Sequence, residues 1–128
     1  MNYLLDTHAL LWFLLADERL SSTAQSAIAD RRNTILVSPA SFWEIAIKIS
    51  LRKYRLDEDF TQFMERELAV NGFTLLPIGV THAGAVAQLP YHHRDPFDRL
   101  PIAQALVERV PLVSKDTEAD QYGVTRVW

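Results

Sequence analysis

Five short β-rich runs, NYLLD, TILVS, FTLLPI, PLVSKD and VTRVW, punctuate the chain, and segments of helical pattern fill the intervals between them. Strands that run parallel need a crossover between them, and a helix is the usual one. The alternation therefore predicts an α/β fold: a mainly parallel central sheet of about five strands, flanked by helices in three layers. TILV and LLPI are apolar throughout, as strands covered on both faces should be. Helices are expected over HALLWFLLA with Thr7 as N-cap, and from Ser21 or Ser22 through TAQSAIAD. A third, SPASFWEIAIKISLRK, opens on Ser38 as N-cap and Pro39 at the first helical position, and DEDFTQFMERELAVNG closes on Asn71 and Gly72. VTHAGAVAQL and DRLPIAQALVER, the latter beginning at Asp98, complete the set, with TEADQYG as a single turn before the last strand.

No repeat, low-complexity tract or Pro/Gly/Ser linker marks a second unit, so the 128 residues, 48% of them hydrophobic, are expected to form one domain spanning 1–128. The absence of cysteine excludes a disulfide framework and a zinc–thiolate site, and suits a reducing compartment. Apolar runs such as ALLWFLLA are too short to cross a bilayer and no basic leader precedes them, so the expected location is cytoplasmic, with no membrane partner. A net charge of −3 argues against a general nucleic-acid coat protein, but leaves room for a nucleic-acid enzyme with a local basic patch. Lys48, Arg52, Lys53 and Arg55 in KISLRKYR form the candidate patch, and their plain reading is a solvated helix end.

In open α/β sheets ligands bind beyond the carboxyl ends of the strands. Asp6 ends the first strand and Asp116 the fourth; Glu44 lies in the second turn of the helix after the second strand, and Asp98 begins the helix before the fourth. Four acids distant in sequence thus map to one edge of one sheet. Considered singly, Asp6 or Asp116 serves as a helix cap and Asp98 as a first-turn acid. Glu44 sits among apolar neighbours in SFWEIAIKI, and an i,i+4 pair with Lys48 is a weak reason to bury an acid. Gathering the four would raise their pKa values unless a cation neutralised them. All-oxygen ligation favours Mg²⁺ or Mn²⁺, ions suited to phosphoryl chemistry.

The blocks LLDTHALLWFL, SPASFWEIAIK, LLPI, LPYHHRDPFDRLPIAQA and LVSKD…YGV, in that order and spacing, resemble PIN-domain ribonucleases, in particular VapC-like toxins of bacterial toxin–antitoxin pairs. The resemblance covers nearly the whole chain and implies a PIN-like fold. It implies four acids that bind Mg²⁺ or Mn²⁺ and carry catalysis, falling here on Asp6, Glu44, Asp98 and Asp116. It further implies a metal-dependent endoribonuclease, a homodimer, and a cognate antitoxin that occludes the cleft. Thr7 and Ser114 match positions that support metal waters. Two departures stand out: Pro101 replaces a helix-forming apolar residue in what would be the first turn, and KISLRKYRL replaces a glycine-containing turn.

Asp95 precedes Pro96 and is pushed toward extended backbone, which makes it a loop-ordering residue and the reserve ligand to Asp98. Arg99 joins the basic residues as a candidate RNA contact. Adjacent histidines on an extended loop point in opposite directions, so His92 and His93 are expected to be loop or interface residues. Trp12 and Trp43 fall in apolar helices and are expected in core or dimer packing. A phosphoacceptor signalling domain would need a second acid after the first strand and an Asp after the third, and LLDTH and LLPIG supply neither. A haloacid-dehalogenase-type phosphatase would need an acid where His8 stands. The alternative that survives is a non-catalytic PIN-like module that binds RNA or protein.

Overall fold

Strand β1 (Asn2–Leu5) takes the centre of the sheet because its last two side chains are both fully buried, Leu4 on one face and Leu5 on the other. The computed structural model describes all residues 1–128. Helix α1 (Thr7–Leu14) and helix α2 (Ser22–Ala29) lead to β2 (Thr34–Val37); α3 (Pro39–Ser50) and α4 (Phe60–Asn71) lead to β3 (Thr74–Leu75). Helices α5 (Val80–Gln88) and α6 (Pro96–Glu108) precede β4 (Leu112–Val113), and a 3-10 turn at Thr117–Tyr122 precedes β5 (Arg126–Val127). All pairings are parallel, in the order β3-β2-β1-β4-β5. The predicted α/β architecture is the observed one.

Alternation along the strands divides the core in two. Leu5, Ile35, Val37 and Val113 face Leu10, Ile28, Ile45, Phe63 and Met64, while Leu4 and Leu112 face Ile102, Ala105, Ala119 and Val124. Each such fully buried leucine contributes about 2 kcal/mol relative to an exposed one. The chain steps outward from β1 to β2 and β3, then returns to place β4 and β5 on the other side. That reversal opens a crevice beyond the carboxyl ends of β1 and β4, because the connections leaving the two strands diverge.

Three local expectations are corrected. LLPI is not a buried strand: β3 is a two-residue edge strand, and both Thr74 and Leu75 are exposed, since nothing pairs beyond it. The N-cap of α1 is Asp6, not Thr7, because the Asp6 carboxylate accepts the Ala9 N–H at 2.8 Å. Helix α6 begins two residues before Asp98: Pro96 presets the first helical φ, and Asp95 caps it by accepting the Phe97 N–H at 2.9 Å. Pro101 therefore lies in the second turn, where its missing N–H leaves the Phe97 carbonyl without a helical donor. No helix is long and apolar enough to cross a membrane.

Three helix ends use left-handed residues with side chains, the first being Ala16 (φ 51°) after α1, where Asp17 N–H donates to Trp12 O at 2.8 Å. After α3, Arg52 (φ 60°) closes the turn with Arg52 N–H to Ile49 O at 3.0 Å and Lys53 N–H to Lys48 O at 2.8 Å. After α6, Arg109 takes φ 56°. Left-handed backbone costs a residue bearing Cβ about 1 kcal/mol that glycine does not bear. Arg109→Gly is therefore expected to raise stability by up to about 1 kcal/mol, read as a higher urea midpoint at unchanged slope. A lower midpoint would show that the arginine side chain contributes more than its backbone costs.

Candidate active site

Three of the four predicted acids sit at the start of a helix or turn, and the fourth, Glu44, lies one turn into its helix. Asp6 leaves β1 and caps α1, and its carboxylate also takes a hydrogen bond from the Ser114 side chain. Asp116 leaves β4 and caps the 3-10 turn, its Oδ1 accepting the Glu118 N–H at 2.9 Å while its own N–H donates to Ser114 Oγ at 3.1 Å. Ser114, itself buried, thus links the two aspartates across the crevice. Asp98 is the third residue of α6. Glu44, in the second turn of α3, is 6% exposed, and its Oε2 lies 3.2 Å from Lys48 Nζ. The structure brings Asp6, Glu44, Asp98 and Asp116 together in the lining of one cleft of about 340 Å³.

The cleft is short of positive charge. Burial pushes the Asp6 carboxyl above its ordinary value; the hydrogen bonds from Ser114 and Ala9 and the nearby His8 oppose the rise, and Asp116 adds to it. Asp98 is raised as well, chiefly by burial and then by Asp95, with His93 opposing and Asp116 and Glu44 adding repulsion. Lys48 is already engaged by Glu44, and its pKa is raised in spite of partial burial. An all-oxygen donor set with unrelieved mutual repulsion fits a hard divalent cation. No three of the four acids bring their oxygens within 4.8 Å of one another; the trio that does is His93, Asp116 and Glu118.

The remaining predicted residues divide clearly. Thr7 lines the cleft, but its hydroxyl donates to Ser41 Oγ at 3.1 Å and ties α1 to α3, whereas Ser114 serves the acids directly. Asp95 orders the loop as the cap of α6. Arg99 is a correction: it is 5% exposed and donates to the carbonyls of Pro90, Val86 and Leu89 at 2.9–3.2 Å, so it seals the end of α5 and does not present its charge to a ligand. None of Lys48, Arg52, Lys53 and Arg55 lines the acid cleft. Lys53 and Arg55 instead border a second, mainly apolar groove of about 290 Å³ between α1, α3 and α4, which shares His8 and Trp12 with the cleft.

Trp12 is buried, with the edge of Trp128 against it. Trp43 is not core: it is 65% exposed and meets Phe97 edge-on at 5.4 Å, at the cleft. Two residues were not singled out for the site. Lys115 lines the cleft between two predicted residues in SKD, a position that could have been read from that motif. His93, expected to be a loop or interface residue, has its ring Nε2 2.5 Å from Asp116 Oδ2, and nothing in the local pattern of LPYHHRD announces a contact 23 residues away.

A family model described as PIN domain matches residues 3–124. No curated protein matches the sequence. Among solved structures, the chain is similar to VapBC2 from Rickettsia felis bound to a promoter DNA fragment, at 15% identity and a TM-score of 0.69, covering 98% of this chain and 97% of that one. It is similar to FitAcB from Neisseria gonorrhoeae at 19% identity and a TM-score of 0.68, covering 97% and 95%. A third is VapBC-1 from nontypeable Haemophilus influenzae, at 16% identity and a TM-score of 0.61, covering 98% and 96%. At these identities the likeness is one of fold.

Because Asp6 and Asp98 are raised, the folded protein binds their protons more tightly than the unfolded chain does. The stability they contribute is full below the ordinary value of 3.8 and is lost as pH rises through the raised folded values. Asp98→Asn is therefore expected to melt above the wild type at neutral pH without divalent metal, the gap closing in acid. Added Mn²⁺ should raise the wild-type melting temperature and leave that of the variant nearly unchanged. A metal-free variant that melts at or below the wild type at neutral pH would contradict the repulsion.

Proposed function

The chain belongs to the PIN domain family, and from that premise we propose that it is a metal-dependent endoribonuclease, one PIN-like nuclease domain over residues 1–128, acting as the toxin of a toxin–antitoxin pair. The observation that carries the reading is the convergence of Asp6, Glu44, Asp98 and Asp116 on one cleft at the reversal of strand order. Asp6, Asp98 and Asp116 hold Mg²⁺ or Mn²⁺, and Glu44 completes the set. Bound there, the cation supplies charge that stabilises the phosphoryl oxygens and makes an attacking water more acidic. Asp6 and Asp116 are preset for this by Ser114 and by the helix N–H groups they cap. Glu44, half of an ion pair with Lys48, accepts the proton of the water as it attacks phosphorus and the P–O bond to the leaving ribose oxygen breaks. Lys115 offers a cation to the phosphate at the wall of the cleft.

The partners proposed are an RNA substrate, a cognate antitoxin and a second copy of the chain. The antitoxin reading is supported by the apolar groove that adjoins the cleft, and by the complexes VapBC2, FitAcB and VapBC-1 that share the fold. Local support for a homodimer lies in α3 and its end, where Trp43 and Leu51 are exposed; the apolar residues of α1 go chiefly to the core.

Incubation of the antitoxin-free protein with mixed cellular RNA is expected to give discrete fragments in Mg²⁺ or Mn²⁺ and none in EDTA. Asp6→Asn and Asp98→Asn should each lower cleavage at least about 100-fold with the fold retained, about 2.7 kcal/mol of lost transition-state stabilisation. Full activity in either variant sinks the assignment of that residue. Folded protein that binds RNA and cuts under no metal would make it a non-catalytic PIN-like binding module.

A further inference from the structure

His93 precedes α6 and Tyr122 follows β4 in the chain, yet the two meet, and His93 carries the contact on to Asp116. The Tyr122 hydroxyl accepts the His92 backbone N–H at 3.1 Å and lies 2.9 Å from His93 Nδ1. The Tyr122 ring stacks on the His93 ring at 5.5 Å and 17°, and the His92 ring meets it edge-on at 4.9 Å. The other imidazole nitrogen, Nε2, sits 2.5 Å from Asp116 Oδ2, and the His93 side chain is only 7% exposed. A bare imidazole lone pair facing a carboxylate at that distance would be repelled, so Nε2 carries the hydrogen and donates it. In the neutral ring Nδ1 then accepts the Tyr122 hydroxyl hydrogen, which leaves every donor in the chain of bonds used.

We propose that His93, held by Tyr122, is a positioning residue that fixes the Asp116 carboxylate for cation binding. The inference rests on the reading of the cleft as a divalent-cation site. Asp116 Oδ1 is already tied to the Glu118 N–H, and one bond leaves a carboxylate free to rock about it. The bond from His93 to Oδ2 removes that freedom, so the remaining lone pairs stay directed at the cleft. A pre-oriented ligand loses less entropy when the ion arrives, and hydrogen-bonded partners of metal-ligating groups typically change affinity by 10–100-fold. Asp116 lies three residues past the end of a short strand and caps a 3-10 turn, where no regular ladder holds it, which is why the support comes from another loop.

The test is Mn²⁺ binding to the full chain without RNA, followed by loss of the free-ion electron paramagnetic resonance signal, with circular dichroism melts to show folding. Relative to wild type, His93→Ala should weaken binding about tenfold. Tyr122→Phe, which keeps the ring stack and removes one oxygen, should weaken it by less, and His93→Gln, whose amide can donate as Nε2 does, should recover much of the loss. A purely structural role would move the melts and leave the Mn²⁺ affinity of all three unchanged, and that result overturns the proposal. A His93→Gln affinity as weak as that of His93→Ala also overturns it. If the wild type itself binds no Mn²⁺, the cation reading falls and this inference with it; wild-type binding that His93→Ala leaves intact removes the inference alone.

Discussion

Like charges gathered at the mouth of a sheet repel, and the low-dielectric surroundings that give a site its strength make the repulsion worse. Here the reversal of strand order places Asp6 and Asp116 beyond the ends of two adjacent parallel strands, and α3 and α6 bring Glu44 and Asp98 to the same crevice. Much of the nearby polar structure answers that crowding. Helix and turn N–H groups are spent on Asp6 and Asp116, Ser114 bridges the two, and Lys48 neutralises Glu44. What these bonds leave uncompensated is the deficit of positive charge that a divalent ion would fill.

The same requirement shapes what lies beneath the acids. A floor built only of leucine and valine would raise the cost of every carboxylate above it, and an unbonded polar floor would be as costly. Among the buried residues that line the cleft, the hydroxyls of Thr7 and Ser114 stand beside the apolar Ile102, Leu112 and Ala119, each with a partner: Thr7 donates to Ser41 and Ser114 accepts the Asp116 N–H, while Ser38, at the end of β2, accepts the Ala40 N–H at 3.2 Å. The aliphatic core begins one residue below, at Leu5, Val37 and Val113. The transition from rigid core to polar site thus takes place within one residue of a strand, which lets the sheet hold the site in place without burying it.

Trp12 has a second consequence for the site. It is one wall shared by the acid cleft and the apolar groove, with the Arg19 guanidinium 4.9 Å and the Lys115 ammonium 5.8 Å from its ring. A chain lying in the groove under the proposed function would meet the cleft without crossing open solvent. Basic residues bordering the groove, Lys53 and Arg55, fit that adjacency better than the contact with RNA expected from their charge alone.

The strand alternation and some helix ends were legible because they are local: short apolar runs, Ser38–Pro39 at the start of α3 and Asn71–Gly72 at the end of α4 each carry their own geometry, whereas the starts of α1 and α6 lie one and two residues ahead of where the pattern put them. The acids could be mapped to one edge because parallel strands share a direction, so the residue after each strand needs no long-range information. What was misread depended on neighbours that sequence does not order. LLPI looked like a core strand until the sheet placed it at an edge, and Arg99 looked like a surface cation until the end of α5 arrived with three open carbonyls. His93 is the clearest instance. Adjacent side chains on an extended loop should diverge, yet His92 and His93 both meet Tyr122, one edge-on and the other stacked, because the tyrosine hydroxyl takes the His92 backbone N–H and folds the loop around itself. A single side chain from a distant turn thus overrode the local geometry, and it did so at the residue that reaches the acid cluster.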